Sequence, residues 1–231
     1  MTATLTTPAG ATAPATRSHV SDRHGRGWAW AGAAAGLAGI GMIVTSGAVT
    51  VTQDAMADNA LILEEVIDKE AFVWAFQALC SAAALGITVF AAGLRRKLAA
   101  QAPADSLLPA LAAAGLAAVA LMLLVGGGIS TELFWSLLQD SGKADPDLVG
   151  ANLSIFNTMA WVWAGAGLTA GTVAVAALRH GSLPRWIGWV SAVAAVLIAL
   201  VQLVPLQYMA AMVGAPWLVI TGIGLARAER S

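Results

Sequence analysis

The stretch RHGSLPRWIGW, residues 179–189, separates two long apolar runs and decides how this part of the chain folds. It holds a basic cluster, a glycine and Pro184, and proline ends a helix because it lacks a backbone N–H. Two tryptophans follow, and tryptophan is enriched where a helix enters a membrane interface. The stretch therefore predicts a basic turn between two membrane-spanning helices.

The rest of the chain also alternates between long apolar blocks and short polar segments. Of its 231 residues, 58% are hydrophobic and 11% are charged, whereas soluble domains carry about 25% charged residues. The apolar residues form six blocks, each close to the ~20 residues that cross a bilayer core. We therefore predict an all-α, polytopic bundle over residues 28–228, with transmembrane spans at about 28–49, 71–94, 107–129, 151–178, 186–204 and 208–226. Residues 1–27, rich in Thr, Ala, Pro and Gly, predict a disordered cytoplasmic tail.

Two of the polar segments between the spans carry the pattern of a short amphipathic helix. In each, four apolar residues recur at i, i+1, i+4 and i+5, with acidic residues on the opposite face. These residues are Ile62, Leu63, Val66 and Ile67 in the first segment, and Leu133, Phe134, Leu137 and Leu138 in the second. We predict two short outer helices.

The distribution of charge predicts the orientation. Ten of the twelve Lys and Arg residues lie in the segments on the side of the N-terminus, and ten of the thirteen acids lie on the other side. Because Lys and Arg are retained in the cytoplasm, we predict a multi-pass inner (plasma) membrane protein with both termini cytoplasmic. The net charge of −1 offers no basic field for nucleic acid.

The centres of the six spans contain no ionisable residue. Such a residue costs ~2.5–3.5 kcal/mol to insert and usually marks a functional site. The three histidines lie outside the spans, and Cys80 is interpreted as a small apolar filler. The sequence therefore predicts no catalytic residue, no metal site and no cofactor.

Polar side chains near the outer ends of the spans are the candidates for a binding cavity. They are Gln77, Glu132, Asn157 and Gln202. Each has a structural alternative: a helix-dipole contact for Glu132, a helix cap for Asn157 and interhelical hydrogen bonds for the two glutamines. Trp161 and Trp163 are further candidates to line a pocket for a flat ligand.

Two pairs of glycines four residues apart predict sites of close helix approach. Gly32 and Gly36 lie in the first span, and Gly167 and Gly171 lie in the fourth. Such small-xxx-small steps let neighbouring helices approach closely. They are candidate oligomer faces. The other predicted partners are the lipid bilayer and an unknown protein.

The turn that opens the fifth span also carries a resemblance. Leu183, Pro184, Arg185 and Trp186, with the following Gly188 and Trp189, form a basic Leu-Pro-Arg-Trp turn. Together with the six-span topology, this turn resembles a group of uncharacterised bacterial six-helix membrane proteins, the DUF4386-like group. The resemblance implies no activity and no functional residue.

Three interpretations of function remain open. The first is a non-enzymatic accessory, sensory or scaffolding membrane protein, which the absence of buried charge favours. The second is a small permease or exporter for an apolar or zwitterionic solute, which requires the four polar side chains to share one cavity. The third is a lipid-modifying membrane enzyme, for which Glu132 is the nearest candidate acid or base.

Overall fold

A computed structural model describes residues 26–103, 105–139 and 143–228 of the chain. The described residues form α-helices joined by 3₁₀ turns and short loops, without a strand. The helices are α1 (Gly27–Ala48), α2 (Asn59–Val66), α3 (Glu70–Ala99), α4 (Leu108–Leu137), α5 (Pro146–Thr158), α6 (Ala164–His180), α7 (Arg185–Leu203) and α8 (Ala210–Ala228). Of the predicted tail, residues 1–25 lie outside the described residues, and Gly27 already belongs to α1.

Six segments of the described chain are long and apolar enough to cross a membrane, as predicted. They are Gly27–Ala48, Glu70–Ala99, Leu108–Leu137, Pro146–His180, Arg185–Leu203 and Gln207–Ala228. The protein is therefore an all-α, multi-pass helical bundle. The fourth segment comprises α5, a 3₁₀ turn at Met159–Trp163 and α6.

The long helices form a closed ring in which each packs against the next. The order around the ring is α1, α3, α4, α6, α7 and α8, and α8 returns to α1. Neighbours are antiparallel, so the ring has two different ends. The end that holds α2 and the start of α5 is called the cap end. The other, where α1 begins and α8 ends, is called the basic end.

Glycines bring two of these helices into backbone contact. A Cβ atom on Gly115 of α4 would lie 2.5 Å from the carbonyl oxygen of Gly165 on α6. The hydroxyl of Thr169 crosses the same contact and donates to the carbonyl of Ala112 at 2.9 Å. Because lipid offers no hydrophobic force between helices, such close packing stabilises the bundle.

The glycine pairs predicted as oligomer faces lie against helices of the same chain. Gly32 faces α3 and Gly36 faces α8, whereas Gly167 and Gly171 face α7. These glycines therefore explain how the ring closes.

The first of the two predicted amphipathic helices is present as α2. In α2, Ile62, Leu63 and Val66 are buried and Glu64 is exposed. The carboxylate of Asp58 accepts a hydrogen bond from the backbone N–H of Ala60 at 2.9 Å and so caps the helix. The apolar face of α2 is covered by the chain itself.

The second outer helix is different from the prediction. Residues 130–137 continue α4, which runs without a break from Leu108 to Leu137, and Leu133 and Leu137 are buried in it. No proline interrupts this run. Serine and threonine side chains bond back to carbonyls one turn earlier, as Ser130 does to Gly126 at 2.8 Å. The apolar pattern thus extends the third span instead of forming a separate surface helix.

The turn at residues 179–189 has the predicted role. Gly181 ends α6 with φ of 63°, a left-handed conformation that favours glycine. The N–H of Ser182 then donates to the carbonyl of Ala176 at 3.1 Å. Pro184 directly precedes α7, and Leu183 is buried beneath the turn.

Candidate functional site

The fourth span is interrupted in a way that places a tryptophan at the centre of the bundle. Met159–Trp163 is wound as a 3₁₀ turn between α5 and α6, and a 3₁₀ turn has three residues per turn instead of 3.6. Trp163 is fully buried. Its indole occupies a slot between α1 and α8, where only small residues leave room. A Cβ atom on Gly39 would lie 2.5 Å from Cζ2, and one on Gly214 would lie 3.0 Å from Cε3.

The indole nitrogen of Trp163 has no hydrogen-bond partner among the described residues. The other fully buried tryptophan is different, since Nε1 of Trp217 donates to the hydroxyl of Ser191 at 2.9 Å. A buried donor left unpaired costs about 1–3 kcal/mol. Nε1 and Cζ2 lie on the same edge of the ring, so the unpaired N–H faces the Gly39 side of the slot.

A small cavity adjoins this edge at the cap end of the bundle. Its volume is about 40 Å³, and α1, α3, α5, the 3₁₀ turn and α8 all contribute to its wall. Phe76 and Phe156 form an aromatic pair in the wall, with ring centroids 4.3 Å apart. Ser46 and Asn157 supply polar groups beside Trp163. The hydroxyl of Ser46 donates to the carbonyl of Ile43 at 3.1 Å, so its lone pairs remain acceptors.

The size and lining of the cavity limit what it can hold. A site needs roughly 10–15 Å³ for one water, and a dry cavity of about 150 Å³ accepts benzene. The cavity beside Trp163 therefore accepts water or a very small neutral molecule with one hydrogen-bond acceptor. None of its lining residues carries a charge.

The structure brings one of the four predicted polar residues to this cavity. Asn157 lines it. Glu132 is exposed on the last turns of α4. Gln77 is half-buried on α3, where its backbone carbonyl faces Gly127 of α4. Gln202 is half-buried near the end of α7, and its amide nitrogen has no hydrogen-bond partner among the described residues.

Most of the other lining residues were not predicted. Trp163, a predicted candidate for a pocket, lines the cavity, whereas Trp161 is 43% exposed on the outside of the bundle. Ser46 and the aromatic pair gave no sequence signal of their own. Gly39 was the one sequence feature that could have indicated the slot for a large side chain. To know which side chain fills the slot, however, one must know which helices are neighbours in the ring.

The cap, which consists of α2, the loop before it and the start of α5, is held by hydrogen bonds to acidic side chains. The amide of Asn59 on α2 donates to the carboxylate of Asp147 on α5 at 2.8 Å. Thr52 donates two hydrogen bonds to the carboxylate of Glu65, one from its hydroxyl and one from its backbone N–H at 2.7 Å. These bonds, the hydroxyl's first, lower the pKa of Glu65. In the described part of the chain, no three His, Cys, Asp or Glu side chains come together as a metal site.

Comparisons with known proteins do not name the site. No family model, no curated protein and no solved structure matches the chain. The resemblance of the turn at residues 183–189 to the DUF4386-like group stays a prediction. The function proposed below therefore rests on the geometry of the bundle.

Proposed function

We propose that this protein is a multi-pass protein of the plasma membrane whose basic end faces the cytoplasm. Most Lys and Arg residues of the described chain lie at the basic end, and two lie at the cap end. The basic-end residues are Arg26, Arg95, Arg96, Lys97, Arg179, Arg185 and Arg227; those at the cap end are Lys69 and Lys143. The positive-inside rule supports this orientation.

Cysteine labelling in intact cells tests the orientation. Met56 at the cap end and Gln101 at the basic end are both exposed, and native Cys80 is buried. A membrane-impermeant maleimide should label Met56→Cys in intact cells and Gln101→Cys only after lysis. The reverse pattern would show that the basic end is outside.

We further propose that the protein is a non-enzymatic sensory or accessory membrane protein. The observation that carries this proposal is the filled centre of the ring. Trp163 occupies the slot between Gly39 and Gly214, and the cavity beside it measures about 40 Å³. Ligand pockets for larger molecules measure about 300–1,000 Å³, so this cavity is too small for a solute of ordinary size.

The cavity gives such a protein a means of response. A small neutral molecule that accepts a hydrogen bond from Trp163 would lie between α1, α8 and the break in the fourth span. These elements also carry the cap, because α5 binds α2 through Asp147 and Asn59. Occupation of the cavity would therefore stabilise the cap.

A small permease for a neutral solute is the second candidate. One observation favours it: the cavity combines the unpaired N–H of Trp163 with Asn157 at the cap end. In such a permease, Trp163 would be the gate between the two ends of the ring.

Stopped-flow light scattering of proteoliposomes separates the two candidates. The solutes are glycerol and urea as neutral molecules and glycine betaine as a zwitterion. The sensory or accessory proposal predicts that vesicles with the wild-type protein are no more permeable to these solutes than protein-free vesicles. Removal of the plug in Trp163→Ala should raise glycerol permeability. Saturable wild-type flux that disappears in Trp163→Phe and Asn157→Ala would support the permease and contradict the first proposal.

A further inference from the structure

A groove opens at the basic end between α7 and α8, away from the cap-end cavity. Its volume is about 650 Å³, within the range of about 300–1,000 Å³ that ligand sites occupy. Pro184 and Trp186 form its α7 side, and Ile220, Ile223 and Arg227 form its α8 side. The groove therefore combines an apolar floor with one cation at its end.

The position of Trp186 shapes this groove. The indole lies directly over Gly224 of α8, where a Cβ atom would lie 2.5 Å from Cη2 of the ring. The glycine allows the ring to lie on α8, while 49% of the tryptophan stays exposed. Tryptophan in this setting marks the level of the lipid headgroups.

The charge at the end of the groove is not balanced by the described part of the protein. Arg227 is exposed on the last turn of α8, and Arg185 precedes Trp186 on α7. At the basic end, the described carboxylate is Asp105, in the loop between α3 and α4. The seam between α3 and α4 lies opposite the seam between α7 and α8 in the ring. Among the described residues, the groove is thus on the side of the basic end that lies away from the carboxylate of Asp105.

We propose that this groove binds one anionic phospholipid of the leaflet at the basic end. The guanidinium of Arg227 holds the headgroup phosphate, because its fixed fork of donors matches phosphate oxygens. One acyl chain lies along Ile223 and Ile220 beside Trp186. From Arg227 to Val219 the apolar wall extends eight residues, about 12 Å of helix. A free phosphate would leave that wall uncovered, so the geometry favours a lipid.

The proposal does not depend on the function proposed for the cap-end cavity. Lipid binding at the α7–α8 groove would hold whether the protein senses, assists or transports. Basic pockets between transmembrane helices on the cytoplasmic side commonly bind anionic headgroups. The groove has such a composition, because Arg227 lies at the end of an otherwise apolar lining.

Native mass spectrometry of the full chain in detergent tests the proposal with two lipids of identical acyl chains. Phosphatidylglycerol is the anionic probe and phosphatidylcholine is the zwitterionic one. We expect one phosphatidylglycerol to bind at least about fivefold more tightly than phosphatidylcholine, the effect of one cation near an anionic lipid. Arg227→Gln should remove that preference. The matched control Arg96→Gln, exposed on α3 at the same end, should retain it.

A second variant tests the groove without changing any charge. Ile220 is 43% exposed in the groove, and Ile220→Trp should fill it and displace the lipid at unchanged Arg227. The control is Val196→Trp on the lipid-facing side of α7, 58% exposed and outside the groove lining. Thermal unfolding of each variant verifies that the fold is retained.

Several results would overturn the proposal. Equal affinity for the two lipids would remove the role of charge. Equal losses in Arg227→Gln and Arg96→Gln would indicate a diffuse field instead of a site. Binding that survives Ile220→Trp would exclude the groove, and full competition by glycerol phosphate would identify a soluble anion as the ligand. A protein dimer lost in Ile220→Trp would identify a second copy of the chain as the occupant.

Discussion

The third span is a continuous helix and the fourth is interrupted, which is the reverse of what their glycine contents would predict. The third contains Gly126-Gly127-Gly128 and yet forms one helix of 30 residues. The fourth contains neither glycine nor proline from position 151 to 164, and it breaks at Met159–Trp163. Intrinsic helix propensity would place the break in the third span.

Packing explains the difference. Within a bilayer, a helix that leaves its backbone unpaired loses several kcal/mol per group, so glycines alone do not interrupt it. Of the three glycines, Gly126 makes room for the fourth span, because it lies against the side chain of Met159. On α1 and α8, Gly39 and Gly214 likewise lie against Trp163. The 3₁₀ turn therefore forms where side chains of the fourth span enter slots on its neighbours.

The largest expected effect comes from removing the side chain that fills the central slot. Trp163→Ala should lower the free energy of unfolding by about 3–5 kcal/mol, the usual cost of truncating a buried aromatic residue. Trp161→Ala is the control, because Trp161 lies two residues away and is 43% exposed; its effect should stay within about 0.5 kcal/mol. The measurement is equilibrium unfolding in mixed micelles. Similar losses in both variants would refute the central role of Trp163.

A smaller effect, with opposite signs, is expected for two glycines of the third span. Gly115→Ala should destabilise by about 1–3 kcal/mol, since its Cβ would meet the rigid backbone oxygen of Gly165 at 2.5 Å. Gly128 has no atom within 4 Å of such a Cβ, so Gly128→Ala should stabilise the helix by up to about 1 kcal/mol. Thermal melting of both variants compares them. Stabilisation by both substitutions would show that propensity, and not packing, governs this span, and destabilisation by Gly128→Ala would contradict the open space beside it.

The smallest effect concerns the cap that leads into the fourth span. Hydrogen bonds from Thr52 lower the pKa of Glu65 below its ordinary value of 4.5. The contribution of Glu65 to stability is therefore present above about pH 4.5 and is lost as the pH falls through the lower pKa of the folded state.

Thr52→Val should raise this pKa and reduce the loss of cap stability between pH 5 and pH 3, values chosen to bracket the titration. Amide hydrogen exchange in α2 is the measurement. Thr50→Val is the matched control, because its hydroxyl bonds the carbonyl of Gly47 instead of a carboxylate. An identical pH dependence in wild type and Thr52→Val would contradict the role of the Thr52–Glu65 contact.

The sequence was sufficient for the features that depend on local pattern. Apolar block length predicted all six spans, and the i, i+1, i+4, i+5 pattern predicted α2, whose Ile62 and Val66 are buried. The same pattern at Leu133 and Leu137 was misread, because an apolar face also extends a neighbouring span.

The candidate site was less accessible to prediction. Asn157 and Trp163 were candidates, but Ser46 and the pair of Phe76 and Phe156 come together only through contacts between α1, α3 and α5. Local sequence does not encode which helices adjoin. The break at Met159–Trp163 has the same origin, since it depends on slots in other helices.

The central claim is that the ring stays closed around Trp163, and the accessibility of the native cysteine tests it most directly. Cys80 is fully buried, and its Sγ lies 3.7 Å from Sδ of Met42, which lines the cavity. A conduit that displaced Met42 from the cavity wall would uncover this thiol. The measurement is the rate of modification by a membrane-impermeant thiosulfonate in proteoliposomes, compared with exposed Met56→Cys in the same background. We predict a rate at least about a hundredfold lower at Cys80, because modification requires opening of the packed core. A rate approaching that of Met56→Cys would contradict the closed bundle.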